Sequence, residues 1–294
     1  MEWKLLKYNQ NWNIGFITMR PDELIKAKSL GKIEWLHHPF KDRWFADPFI
    51  VSEDESKIVV FAEECTIHNP KGIIVELVVE TKTKKLLDRH ELLSLSTHLS
   101  YPIFYKSGDK IYVYPENGRS GSLYIYEYDA SSHKLINPQL LMNEPLADAT
   151  ILHHKNINFM IATKYPHTQE NTVISYSDDL KRNYFELKQL NNSKKGARPA
   201  GNFFETDKGL FRPGQDCTKR YGAGLCILKV ISTDTDYNEE LIFTLTPNSY
   251  RYNLGLHTLN FGEKTGVIDG YGYYYPLMGR VLNIVRMVRK FVIK

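Results

Sequence analysis

Five short segments carry a chemically capable side chain at the same place: ADPFI from Ala46, SYPIF from Ser100, ADATI from Ala147, ARPAG from Ala197 and LHTLN from Leu256. Superposed, they align Asp47, Tyr101, Asp148, Arg198 and His257 at intervals of about 50 residues, the range expected of a structural repeat. Two carboxylates, an imidazole and a guanidinium brought to one point could do acid–base chemistry or hold an anion. The same groups could also neutralise one another as a structural plug. A second tier closes the run after each segment and aligns Glu63, Glu116, Thr163, Arg212 and Asp269, with Gln215 and Asp216 just beyond Arg212. We expect these groups at one rim, where loops on a rigid scaffold carry binding residues. His98 is counted with them, and Tyr165, Tyr221, Tyr252 and Tyr271 could offer faces to sugar rings.

Only a repeated scaffold would bring such groups together. Each segment is followed by a second β-rich run, such as KIVVFAEE and KIYVYPEN, then by a third (GIIVELVVE, GSLYIYEYD) and a fourth (KLLDRHELL, KLINPQLLM). Four strands per unit, five times over, predict an all-β five-bladed β-propeller whose first strands line the axis. A β-sandwich has similar short strands but no reason to repeat this pattern. The fifth unit has two strands, so NWNIGFITM and KIEWLHH at the other end of the chain are expected to complete that last blade and remove a free sheet edge. The propeller is thus expected over residues 1–276 and a C-terminal amphipathic helix over 277–294.

Composition agrees. The chain has 294 residues with 19 Tyr, 14 Phe, 18 Gly and 13 Pro, a mixture that favours pleated, half-buried surfaces and tight turns. Lys and Arg number 38 against 34 Asp and Glu, a net charge of +4 that is too balanced for a nucleic-acid binder. Cys65, Cys217 and Cys226 have neither disulfide-framework nor zinc spacing, which suits a reducing cytoplasm. No signal peptide or membrane-spanning run is read, no phosphate-binding loop, dinucleotide fingerprint or G-x-S-x-G elbow occurs, and neither cofactor nor metal is expected. The helix carries Val281, Ile284, Val285, Val288, Phe291 and Val292 on one face, with Arg286, Arg289, Lys290 and Lys294 largely on the other, so an anionic membrane surface is an expected partner.

The ordered motifs WFADPFI, FAEE, KGII, HLSYPIFY, YPEN, DATIL, ARPAGNFF, RPGQDC and YGAGL give the chain a family likeness. It resembles, over roughly residues 35–275, the N-terminal propeller domain of plant glucosamine inositolphosphorylceramide transferases and bacterial relatives. Through it the chain is similar to five-bladed glycoside hydrolases of the arabinanase, xylosidase and invertase type. That resemblance implies Asp47 as base or nucleophile and Asp148 as the group that orients the site. The general-acid Glu of those hydrolases has no late-blade counterpart, so Glu116 or Glu63 would substitute, while Arg198 and Arg212 would suit a phosphate. The implied function is glycosyl transfer in glycolipid or cell-surface polysaccharide synthesis, acting on a sugar-phosphate donor or lipid-linked acceptor at the inner face of a membrane. The alternatives are a glycoside hydrolase and a non-catalytic glycan-binding module.

Overall fold

The computed structural model describes residues 10–154, 157–232 and 237–292; in the last helix it describes the side chains up to Leu282 and those of Ile284, Val285 and Val288. The strands form five antiparallel sheets arranged as the blades of a propeller. Blade one comprises Arg43–Glu53, Lys57–Thr66, Ile73–Glu80 and Leu86–Leu93 in that order from the axis outward. Blades two, three and four begin with Phe104–Ser107, Leu146–His154 and Lys195–Pro199. The fifth sheet is composite: Gln10–Ile17 pairs with Gly266–Tyr273 from Gln10↔Tyr273 to Ile17↔Gly266, and Glu34–Trp35 adds its outer strand.

Burial follows position in the blade. In blade one the second strand, KIVVFAEECT, is buried at eight consecutive positions but one, because it has sheet on both sides and blades on both faces. The outermost strand, LLDRHELL, is mostly half-exposed. The core is therefore divided among the seams between blades. Ile14, Phe16, Phe45, Val60 and Val75 fill the seam that joins blades five and one. Phe61, Ile74, Val113 and Tyr126 fill the next, between blades one and two.

One local device is repeated at the axis. Asp47, Tyr101 and Asp148 all have left-handed backbone, with φ of 49°, 48° and 48°. In blades one and three the strand register shifts across this residue, between Ala46 and Phe49 and between Ala147 and Thr150. Such a bulge turns a side chain out of the regular pleat, and for a non-glycine residue its backbone costs about 1–2 kcal/mol. The C-terminal helix runs Pro276–Val292 and touches the propeller mainly at its start, where Gly279 lies on the Tyr273 ring so closely that a Cβ would overlap it. Leu277, Val281, Ile284 and Val288 are all exposed. The side chains of Arg286, Arg289, Lys290 and Phe291, expected to contact membrane, lie outside the described residues.

Candidate functional site

The bulges deliver their side chains to one buried polar cluster, and its carboxylates do two jobs. Each of three accepts a backbone N–H from the next blade. Asp269 accepts that of Asp47 at 3.2 Å, Asp47 that of Tyr101 at 3.1 Å, and Glu116 that of Asp148 at 3.1 Å. This hands a hydrogen bond from blade five to one, one to two and two to three, at amides that the bulge removes from sheet pairing.

The second job is charge pairing. Arg198 forks onto Asp148, with Nε 2.5 Å from Oδ2 and Nη2 3.1 Å from Oδ1, and the same Nη2 reaches Glu116 Oε2 at 3.0 Å. Gln215 donates to Asp148 Oδ2 at 2.9 Å, and the Tyr165 hydroxyl donates to Glu116 at 2.6 Å. On the other side, His257 Nδ1 is 2.5 Å from Asp269 Oδ2 and 3.6 Å from Asp47 Oδ1. Thr258 completes this half with a very short bond from its hydroxyl to Asp269. The Tyr101 hydroxyl is 2.9 Å from that of Thr150 and serves the packing of blades two and three.

Four carboxyl groups, Asp47, Glu116, Asp148 and Asp269, thus share the cationic partners Arg198 and His257, all buried, and a fifth buried carboxyl, Glu63, stands beside Asp47. Burial pushes Asp47 up to about 6, with the Asp269 charge adding to it and His257 opposing it. Burial and the neighbouring Asp47 charge hold Glu63 well above the usual carboxylate range. Burial also raises Asp148, which shares one guanidinium with Glu116. Burial would raise Glu116 too, but Arg198 and the bonds it accepts outweigh that and hold it low. Burial would disfavour imidazolium at His257, yet Asp269 and Asp47 outweigh it and hold the ring above its ordinary value, and His257 in return lowers Asp269.

Glu63 has its own setting. It pairs across the sheet with Ala46, so it stands beside Asp47. His98 Nδ1 accepts the Gly72 N–H at 2.8 Å, which fixes the proton on Nε2, 3.2 Å from Glu63 Oε1. The Cys65 thiol lies 3.2 Å from the same oxygen. A Cβ at Gly72 would sit 2.2 Å from the Leu99 carbonyl and 2.7 Å from Glu63, so only glycine permits this approach.

Above the cluster lies an aromatic cleft of about 370 Å³ lined by Trp12, Trp44, Tyr221, Tyr271, Gln10 and Thr66, among others. Trp12 stacks on His257 with ring centroids 3.9 Å apart and an interplanar angle of 16°. Tyr221, 44% exposed, sets its ring 5.4 Å from His257 and 5.3 Å from the Arg198 guanidinium. The cleft and the cluster therefore share a boundary made of these rings.

Of the residues expected at the site, Asp47, Glu63, His98, Tyr101, Glu116, Asp148, Arg198, Gln215, Tyr221, His257 and Asp269 come together. Arg212 does not join them. It is fully buried elsewhere in blade four, forked onto Glu239 and bonded to the Gly196 carbonyl at 2.9 Å, so it is no phosphate ligand. Arg198 too has its guanidinium occupied by carboxylates. Asp216 caps a local turn by accepting from Thr218 at 3.0 Å, and Tyr252 is buried against Trp35. Trp12, Trp44 and Thr258 were not singled out in the sequence. The strand NWNIGF was assigned to the last blade, and its tryptophan was the available signal.

A five-bladed propeller with carboxyl groups gathered at the axis is a fold that this chain shares with solved glycoside hydrolases. An α-L-arabinofuranosidase from Podospora anserina superposes over 90% of this chain and 98% of its own with a TM-score of 0.55 at 8% identity. An exo-β-1,3-galactanase from Clostridium thermocellum does so over 72% of this chain and 53% of its own, with a TM-score of 0.54 at 13% identity. The chain belongs to the family described as glucosamine inositolphosphorylceramide transferase 1, N-terminal, whose model matches residues 34–258. The transferase of that name from Arabidopsis thaliana is 28% identical over 192 residues, 59% of this chain and 25% of the plant protein. The one from Oryza sativa subsp. indica is 26% identical over 211 residues, 68% and 28% of the respective chains. The chain thus spans about a quarter of the length of these relatives.

Proposed function

We propose that the propeller serves glycosyl transfer in glycolipid or cell-surface polysaccharide synthesis by holding an uncharged sugar of the acceptor in the aromatic cleft over the axial cluster. One observation carries the reading: Arg198, the cation expected to grip a phosphate, is already neutralised by Asp148 and Glu116. The surplus of carboxyl groups repels a phosphate and suits sugar hydroxyls. Flat apolar faces with a few convergent polar groups are the usual lining of a small-molecule site. The family name, which joins glucosamine to inositolphosphorylceramide, supports a lipid-linked acceptor.

The test is a thermal-shift series with neutral oligosaccharides, sugar nucleotides and polyprenyl-phosphate sugars on wild type and Tyr221→Ala, since a ligand raises stability by mass action. Stabilisation by neutral glycans that Tyr221→Ala abolishes is the expected result. A response confined to phosphorylated sugars would sink the reading.

A second reading is favoured by the state of two acids. Asp47, pushed up to about 6, and Glu63, held well above the usual carboxylate range, stand on adjacent strands, and two neighbouring carboxyl groups are what glycosidic-bond chemistry needs. It requires release of sugar from a neutral glycan by wild type and none by Glu63→Gln.

The C-terminal helix belongs to the same proposal as an anchor on anionic lipid. Its support is the exposed stripe Leu277, Val281, Ile284 and Val288, together with five basic and no acidic residues after Pro276. On this reading the protein works at the cytoplasmic face of a membrane, where a lipid-linked acceptor is at hand.

A further inference from the structure

The outer part of the seam between blades one and two gathers three side chains that the sequence keeps apart. Glu76 lies on the third strand of blade one, and His90 pairs with it across the sheet from the fourth. His133 comes from the turn that follows Leu123–Asp129 in blade two. Each offers a donor atom, and the three atoms lie within 4.8 Å of one another.

The surroundings are those of a ligand set more than of a chance surface group. Glu76 is a buried carboxylate, 2% exposed. Its Oε2 accepts a very short bond from the Tyr128 hydroxyl, and its Oε1 is 2.9 Å from His133 Nδ1. The two imidazoles stack at 3.7 Å with an interplanar angle of 6°. Asp88 Oδ2 lies 3.2 Å from His90 Nε2, an outer carboxylate of the kind that orients a ligating imidazole. His133 is held in place by a left-handed backbone, φ 51°, after an Asp129 side chain that accepts from Ser131 and Ser132.

We infer that Glu76, His90 and His133 form a zinc site that staples blade one to blade two. Two imidazole nitrogens and a carboxylate oxygen are donors that zinc takes at about 2.0–2.2 Å, with water free to fill the fourth position. Binding needs the rings to splay from parallel, and both side chains are solvent-accessible enough to turn, at 29% and 39%. The ion takes the place of the proton between His133 Nδ1 and Glu76, and that proton moves to Nε2 or to solvent.

The experiment uses the full chain stripped with a chelator and titrated with zinc chloride, by calorimetry and by thermal melting. His90→Ala and His133→Asn are compared with wild type, asparagine being chosen because it tolerates the left-handed backbone. Wild type is expected to bind one zinc per chain and to melt higher with it. Each variant, folded by circular dichroism, is expected to bind more than about tenfold more weakly. No zinc uptake by wild type overturns the inference, and so does unchanged uptake in His90→Ala, which stands as the deciding variant should His133→Asn not fold.

Discussion

Replacing Asp47 by asparagine should stabilise the protein, and only above mildly acid pH. Asp47 is 5% exposed, and burial lifts it from the ordinary 3.8 to about 6. A carboxyl raised in the folded state binds its proton more tightly there than in the unfolded chain. Its contribution is therefore whole below about pH 4 and is lost as pH rises through about 6. At about 1.4 kcal/mol per pH unit the loss amounts to about 3 kcal/mol at pH 8. Asparagine keeps an oxygen for the Tyr101 N–H and carries no charge, but it surrenders the attraction to His257 3.6 Å away. The net expected gain for Asp47→Asn is about 1–3 kcal/mol at pH 8 and close to none at pH 4. Urea denaturation of both proteins at several pH values between 4 and 8 reads this directly. A variant that is destabilised throughout, or whose difference from wild type does not change with pH, would refute the account of Asp47 as a buried acid carrying an electrostatic penalty.

Three further outcomes follow from the same geometry. Arg198→Met strands Glu116 and Asp148 and should cost about 3–5 kcal/mol in chemical denaturation; a loss below about 1 kcal/mol would mean that the axial charges are solvated after all. Arg212→Ala should cost a similar amount by leaving Glu239 buried without its partner, yet glycan-induced thermal shifts should persist, and their disappearance would return Arg212 to the binding site. Ile284→Asp with Val288→Asp should abolish co-sedimentation with vesicles containing phosphatidylserine; undiminished binding would show that the exposed stripe is not the lipid contact.

Much of this was legible in the sequence because a propeller writes its axis once per blade. Asp47, Tyr101 and Asp148 fall on equivalent left-handed positions, so aligning the segments aligned the ring itself. Arg212 was misplaced for a definite reason. In blade four the register runs Lys195↔Asp216 and Pro199↔Gly214, offset from blade one, and the place taken there by Glu63 falls near Gln215. An alignment by turns cannot see that offset. The aligned ring did raise the reading that its charges neutralise one another, but it could not decide between that and a ligand, because the Arg198 partners lie 50 and 82 residues away and pair only after three blades have closed. The grouping of Glu76, His90 and His133 was invisible for the same reason, as neighbouring blades are neighbours in space but have no ligand spacing in sequence.

The composite fifth blade also has a consequence in time. Gln10–Ile17 is made well before its partner Gly266–Tyr273, with the other four blades between them. At typical synthesis rates of about 5–20 residues per second, the early strand waits roughly 10–50 s for its mate. Throughout that interval Ile14 and Phe16, which end up buried, have no blade to enter. The nascent ring is thus a latch held open, and whatever shields that strand on the ribosome governs the yield of closed propellers.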